Sequence, residues 1–226
     1  MQKIISSCNM TAITCAQNQD ELFDVMPPPQ DFVGEDHIIE NPPKILFEAN
    51  DVGMTKYSVI KRKDAHKTGA WHRAIGIWLY NCKGEVLLQR RSAEKDSNPL
   101  RWQSSAAGHV TSGDTVEETV IKEVAEEVGI TISESDLELV TVTCEIETGE
   151  TEKFGKIDDR EYRFVYIAKT DKTLGEFNFN THEVCEIKFT PFHEALDAID
   201  RKDPDVCPLS KGHVALVRCA LTKKGF

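Results

Sequence analysis

The sequence predicts a mixed α+β sandwich, and three observations carry that prediction. Strand-like segments dominate the middle of the chain. Helix-like segments lie between and after them without strict alternation, which argues against a doubly wound parallel sheet. One segment, Thr115–Val128, has clear helical periodicity: Val116, Val120, Val124 and Val128 recur every fourth residue, with Ile121 and Ala125 beside them. A length of 226 residues with 40% apolar content suffices for one domain with a sizeable core, plus an extension.

In chain order, residues 1–43 read as an acidic, Pro-rich extension, irregular or extended along PPPQDFVGEDHIIENPP. Residues 44–226 read as the compact domain. Lys44–Ala49 suits a strand. Ile75–Tyr80 reads as a buried strand, Asn81–Gly84 as a hairpin turn and Glu85–Gln89 as the returning strand. Trp102–Ala107 leads into Gly108. Asp114 and Thr115 are the N-cap candidates of the Thr115–Val128 helix, and Gly129 is its stop. Glu138–Glu145 and Arg160–Lys169 alternate like strands, and Val184–Phe189 is a further strand. Pro191–Arg201 and Leu209–Leu221 read as helices.

The charge balance narrows the function classes. A net charge of −11 and a pI near 5.1 lack the basic footprint of a nucleic-acid binder. No apolar run has the length of a bilayer span, so no membrane association is expected. A phosphorylated small molecule remains compatible if cations and local Lys/Arg neutralise it. The seven cysteines are odd in number and contain no CxxC pair, which argues against a disulfide framework or a zinc knuckle. The first residues read as neither a secretory signal nor a transit peptide, so a reducing cytoplasm is the expected location.

The chemistry concentrates on the periodic helix. Glu123, Glu126 and Glu127 stand at i, i+3 and i+4, so their carboxylates converge on one patch away from the valine face. Alone, EXXEE on a helix is ordinarily a solvated acidic face. Three like charges this close cost helix stability. A hard cation offsets that cost, shares its oxygen ligands with substrate phosphates, and activates water.

Context favours the cation. Gly108 is followed by five residues, Asp114, seven residues, and then Lys122, Glu123, Val124, Ala125, Glu126, Glu127, Val128, Gly129 and Ile130. This resembles the Nudix box, G-x5-E-x7-R-E-U-x-E-E-x-G-U with U aliphatic, and every spacing matches. Two positions depart. Asp114 stands for Glu, and Lys122 stands for Arg, which keeps the charge but loses the planar fork. The resemblance implies an α/β/α sandwich with a central mixed sheet and the box helix packed on it. It implies Glu126 and Glu127 as principal ligands of Mg2+, with Mn2+ as the alternative, and Glu123 as a further ligand or the base acting on water. It adds the Ala107 carbonyl as a backbone ligand and a later acidic residue, Glu161 or Glu183, with Glu161 carried forward.

The stretch HKTGAWHRAIGIWLYNCKGEVLLQRRSAEKDSNPLRWQSSAAGHV, from His66 to Val110, is similar to the Nudix branch of the isopentenyl-diphosphate isomerases, and the likeness runs from about Ile45 to Leu221. That likeness implies a second metal site of His66, His72 and His109 with Asp159 and Glu161, although the His66–His72 gap is one residue short. It also maps diphosphate-binding residues to Arg62, Arg91 and Lys95. The plainer readings are polar loop residues for His66 and His72, and a solvated strand-edge charge at Arg90 or Arg91. His182, His193 and His213 read as surface residues, and Trp71, Trp78 and Trp102 as packing.

One residue separates two activities. The isomerases carry a proton-shuttling Cys just before the Gly-His pair, and this chain has Ala107 there. Hydrolysis of a nucleoside diphosphate derivative or related organic diphosphate is therefore the expected reaction. Isomerisation is the alternative, and a non-catalytic ligand-binding module the third reading. The expected partner is a small-molecule diphosphate, a homodimer is compatible, and specificity is assigned to Thr148–Asp159 and the C-terminal part.

Overall fold

A computed structural model describes residues 3–4, 18–29, 32, 37–47, 58–95, 97–151 and 155–226. Its elements in chain order are β1 (Lys3–Ile4), β2 (Leu22–Asp24), β3 (Val59–Lys61), α1 (Arg62–Thr68), β4 (Trp71–Tyr80) and β5 (Glu85–Arg91). There follow β6 (Trp102–Gln103), β7 (Ala106–His109), α2 (Val116–Glu123), β8 (Glu138–Thr151) and β9 (Gly155–Lys169). The chain closes with β10 (Val184–Pro191), α3 (Phe192–Asp200) and α4 (Lys211–Thr222).

The main sheet runs β1-β10-β5-β4-β9-β8, with β6 added to β5 and β7 to β4. β4 and β9 are parallel and the other pairs are antiparallel, so the sheet is mixed, as expected. β4 is buried at every position, the signature of a strand covered on both faces. Its side chains alternate between two cores. Ile75, Ile77 and Leu79 pack with Val116, Val120, Val124 and Val128. Trp78 and Tyr80 pack with Phe192 and Leu196 of α3 and Val214, Val217 and Leu221 of α4. Helices thus cover both faces, giving the α/β/α sandwich. All four box-helix valines are fully buried, and each contributes about 1.5–3 kcal/mol.

The box helix begins as its sequence says. Thr115 caps it by accepting from the Glu118 N–H, and Glu118 returns a bond to Thr115, a reciprocal capping box. Its end differs from expectation. The α-helix stops at Glu123 and Val124–Val128 forms a π turn, closed by Gly129 donating to the Val124 carbonyl at 3.2 Å. A π turn widens the backbone spiral and re-aims the side chains it carries, here Glu126 and Glu127.

Two other expectations are corrected. Lys44–Leu46 is a 3-10 turn rather than a strand, closed by Leu46 N–H to the Pro43 carbonyl at 2.9 Å and anchored by buried Leu46. Residues 48–49 of that expected strand lie outside the described residues. His213 is not a surface residue. It is 1% exposed, and both of its ring nitrogens are engaged.

Part of the N-terminal segment packs into the domain. β2 pairs with β3, Phe23 and Met26 are buried, and Asp24 meets Arg73 of β4 at 2.8 Å with both side chains out of solvent. Among the described residues, no helix is long and apolar enough to cross a membrane.

The sheet opens where the site lies. β4 meets β5 only at Tyr80–Val86, while β7 runs along β4 and β6 along β5. Ser105 bridges the fork, accepting from the Leu79 N–H at 2.8 Å and donating to the Leu87 carbonyl at 2.6 Å.

Candidate metal and diphosphate site

The fork widens into a cavity of about 1560 Å³, lined by Glu123, Glu126 and Glu127 and by His66, His109 and Asp159, with fully buried His72 completing the second set. The first is the glutamate arm. Glu127 is buried. Its Oε2 accepts from Gln89 Nε2 at 2.6 Å and from the Ala107 N–H at 3.1 Å, and its Oε1 lies 3.5 Å from Lys95 Nζ. Glu123 lies against Gly108, where a Cβ would collide with its carboxylate. Gly129 has φ 71° and touches the Asn178 carbonyl, so a side chain there is excluded twice over. Glu126 is exposed to the cavity.

These carboxylates lack sufficient positive charge. Burial, then the charges of Glu127 and Glu126, push Glu123 well above the ordinary carboxylate range. Burial pushes Glu127 up as well, against Lys95 and Gln89. A cation among them would reverse the balance, which is the behaviour expected of a metal site.

The second set is the histidine arm. α1 supplies His66, β4 His72, β7 His109 and β9 Asp159, and their ligand atoms all lie within 4.8 Å of one another. His66 Nε2 is 3.7 Å and His72 Nε2 3.3 Å from Asp159 Oδ1. His109 Nε2 is 3.9 Å from Asp159 Oδ2 and 3.0 Å from Glu161 Oε1. Ligands on bonds of about 2.1 Å sit roughly 3.0–3.4 Å apart, and these gaps are of that order. The Nε2 atoms of His66 and His72 and Asp159 Oδ1 are buried without a hydrogen-bond partner. Such orphaned atoms, aimed at one point, fit a bound ion. The mixed imidazole and carboxylate donors suit Mn2+ or Zn2+ better than Mg2+.

Neighbouring groups set the rings. His72 Nδ1 lies 2.9 Å from the Ala70 carbonyl, which only accepts, so the proton sits on Nδ1 and Nε2 keeps its lone pair. Burial lowers His66 to about 3, keeping it neutral. Phe23 stacks on His72 at 4.8 Å and on His109 at 5.0 Å. His109 is set differently. Arg62, which only donates, lies 2.9 Å from His109 Nδ1, so the neutral ring carries its proton on Nε2, facing Glu161. Ligation through His109 Nε2 therefore requires Arg62 to release Nδ1.

The residues expected to bind the diphosphate all line the cavity, but they divide between the arms. Arg62 sits with the histidines and also meets Glu21 at 3.4 Å. Lys95 pairs with Glu183 and approaches Glu127. Arg91 is braced by the Ser97 carbonyl and by Gln103 Oε1, each at 3.0 Å. The two later acidic residues also separate. Glu183 joins the glutamate arm through Lys95, whereas Glu161 lies with His109 and Arg163. Against burial, Arg163 and His109 hold Glu161 well below the ordinary range. Sequence reasoning missed Phe23, Gln89, Glu145 and Arg163. The last two stand in strands whose alternation puts them on the Glu161 face, a signal that was present.

Comparison with known proteins places the chain in a family. The NUDIX domain family profile matches residues 70–209. Nudix hydrolase 3 of Arabidopsis thaliana is 31% identical over 151 residues, covering 65% of this chain but only 19% of that longer relative. Isopentenyl-diphosphate Delta-isomerase 2 of Photorhabdus laumondii is 30% identical over 145 residues, covering 64% of this chain and 76% of the relative. The solved structure of DR0079 from Deinococcus radiodurans superposes with a TM-score of 0.49 at 19% identity, covering 88% of this chain and 99% of that one. With the profile spanning more than half of its length and the box glutamates gathered at the cavity, the chain belongs to the Nudix family.

Proposed function

We propose that this protein hydrolyses a diphosphate linkage in a nucleoside diphosphate derivative or related organic diphosphate, using a divalent cation held by Glu123, Glu126 and Glu127. The observation that carries this reading is the glutamate arm itself. Three carboxylates converge over a π turn at the edge of a large cavity, and burial holds two of them above their ordinary range despite the nearby Lys95. A cation there, Mg2+ or Mn2+, would supply a polarised phosphate and an activated water. Gln89 and the Ala107 N–H fix one Glu127 oxygen, leaving the other to face the cation and Lys95. Glu183 supports the trio as its later acidic partner, and the Ala107 carbonyl is the proposed backbone ligand. Arg62, Arg91 and Lys95 bring positive charge to the cavity that receives the phosphates.

The test is a screen of nucleoside and isoprenoid diphosphates with Mg2+ or Mn2+, following release of phosphate or monophosphate. Glu126→Gln should abolish turnover while leaving the fold intact; full turnover by that variant would sink the assignment.

The histidine arm favours one second reading, isomerisation of a five-carbon diphosphate. Ala107 opposes it, because a methyl group offers no proton at that point of the cavity. Robust interconversion of the two five-carbon diphosphates would move the assignment to that reading.

A further inference from the structure

The histidine arm is anchored by groups that share its face of the sheet, the face covered by α4. β8 and β9 place Glu145 directly opposite Glu161. Like charges opposite one another destabilise a strand pair unless something lies between them. Here Arg163, two residues beyond Glu161 and on the same face, does so. Its Nε reaches Glu145 Oε2 at 3.0 Å and Glu161 Oε2 at 2.9 Å, and its terminal nitrogen also donates to Glu161 Oε2. Both contacts take the same Glu161 oxygen, so Oε1 is the one left facing His109.

Glu145 is itself held from α4. His213 Nδ1 lies 3.1 Å from Glu145 Oε1, and the Thr143 hydroxyl adds a bond to that oxygen at 3.2 Å. Trp78 Nε1–H, which can only donate, reaches His213 Nε2 at 3.2 Å. A neutral His213 therefore carries its proton on Nδ1 and donates it to Glu145. The backbone N–H of His213 is tied to the Ser210 hydroxyl that caps α4. Trp78 is fully buried and His213 is 1% exposed, so the ring cannot turn without leaving a buried indole N–H unpaired.

We infer that His213, Glu145 and Arg163 are positioning residues. Together they form a buried relay from Trp78 to Glu161 that fixes which carboxylate oxygen Glu161 presents to the ion site of His66, His72, His109 and Asp159. The inference rests on the divalent-metal reading of that cavity. Relay residues bind no substrate; they act through Glu161. The links inside the relay are satisfied, while the orphaned atoms lie at its outer end, on the ligands. A purely structural polar cluster would show no such direction.

The test reads the metal rather than turnover. Co2+ is titrated into the full chain after chelation, following the visible ligand-field bands, which imidazole donors shift and strengthen relative to the weak bands of oxygen-only glutamate sites. Glu145→Gln keeps volume and removes the charge shared by Arg163 and His213. His213→Leu removes the donor to Glu145, and His213→Gln can restore one. Glu145→Gln and His213→Leu should each weaken Co2+ binding on the order of tenfold and shift the band, with His213→Gln recovering most of the loss. Folded variants of both kinds that bind within about twofold of the parent, with an unchanged band, would overturn the relay. If His213→Leu does not fold, Glu145→Gln decides alone. A parent chain whose bands match those of an oxygen-only site would overturn the premise and the relay together. A parent that gives the imidazole-shifted bands but cleaves no diphosphate would remove only the hydrolase reading.

Discussion

The two arms of the cavity are built by opposite means. The glutamate arm comes from one continuous segment, Gly108–Ile130, whose ligands are neighbours in sequence and become neighbours in space through one helical turn and one π turn. The histidine arm comes from four elements, α1, β4, β7 and β9, spread from His66 to Glu161. The first arm is legible as a motif and gains its geometry from local backbone. The second has no motif of its own and depends on the parallel pairing of β4 with β9, which sets His72 directly opposite Glu161. A shift in the sheet would therefore dissolve the histidine arm while leaving the glutamate arm largely assembled.

The strongest way to break this comparison is at the glutamate arm. Glu127→Gln should cut turnover by about 10²–10³-fold, the scale of losing one preorganised electrostatic group. Far-ultraviolet circular dichroism should change little, because the valine face remains packed. Near-parent turnover with the fold retained would shift catalysis to the histidine arm.

Phe23→Ala probes whether the N-terminal segment belongs to the histidine arm. Removing a fully buried ring that stacks on two of the histidines should cost about 3 kcal/mol or more in a urea unfolding series. It should also weaken Co2+ binding more than it weakens Mg2+-dependent turnover. Equal losses in both would mean that the arms are not separable.

At His72, substitution by Gln should lower affinity for the imidazole-bound ion by about tenfold or more, since even outer partners of a ligand contribute that much. Equilibrium titration followed by the ligand-field band measures this, and an unchanged affinity would place the ion elsewhere.

The test whose sign differs between the arms is the acid dependence of stability in the metal-free protein. His66 is lowered from 6.5 to about 3, so below pH 6.5 the unfolded chain takes up its proton first and stability is lost toward pH 3. Glu123 is raised, so the folded chain takes up its proton first, and stability is gained as pH falls through its folded value toward 4.5. His66→Gln should flatten the acidic loss, and Glu123→Gln should steepen it. Unfolding curves in chelator between pH 7 and pH 4 separate the two; the same slope change in both variants would contradict the assignment of opposite shifts.

Much of this molecule was readable from residue order. The valine repeat placed the box helix, Thr115 and Gly129 bounded it, and alternation marked Glu138–Glu145 and Arg160–Lys169 as strands. The resemblance of Gly108–Ile130 and of the preceding stretch named residues of which Glu123, Glu126, Glu127, His66, His109 and Asp159 line one cavity. Other features were not readable. The π turn was hidden because the valine repeat fits both spirals over so few residues. Glu161 and Glu183 could not be apportioned, because their separation depends on which strand each occupies and on Lys95 and Arg163. His213 carries no local signal of burial; its partners are Trp78 and Glu145, both far away in sequence.

The sequence by itself determined the glutamate arm, because helical periodicity and spacing along one segment already decide which carboxylates share a face. Only the tertiary structure decided the geometry of the histidine arm, the seat of Phe23 against it and the Trp78-to-Glu161 relay beside it. Those contacts are cross-strand and helix-to-sheet meetings between distant residues, and their geometry exists only once the sheet has closed.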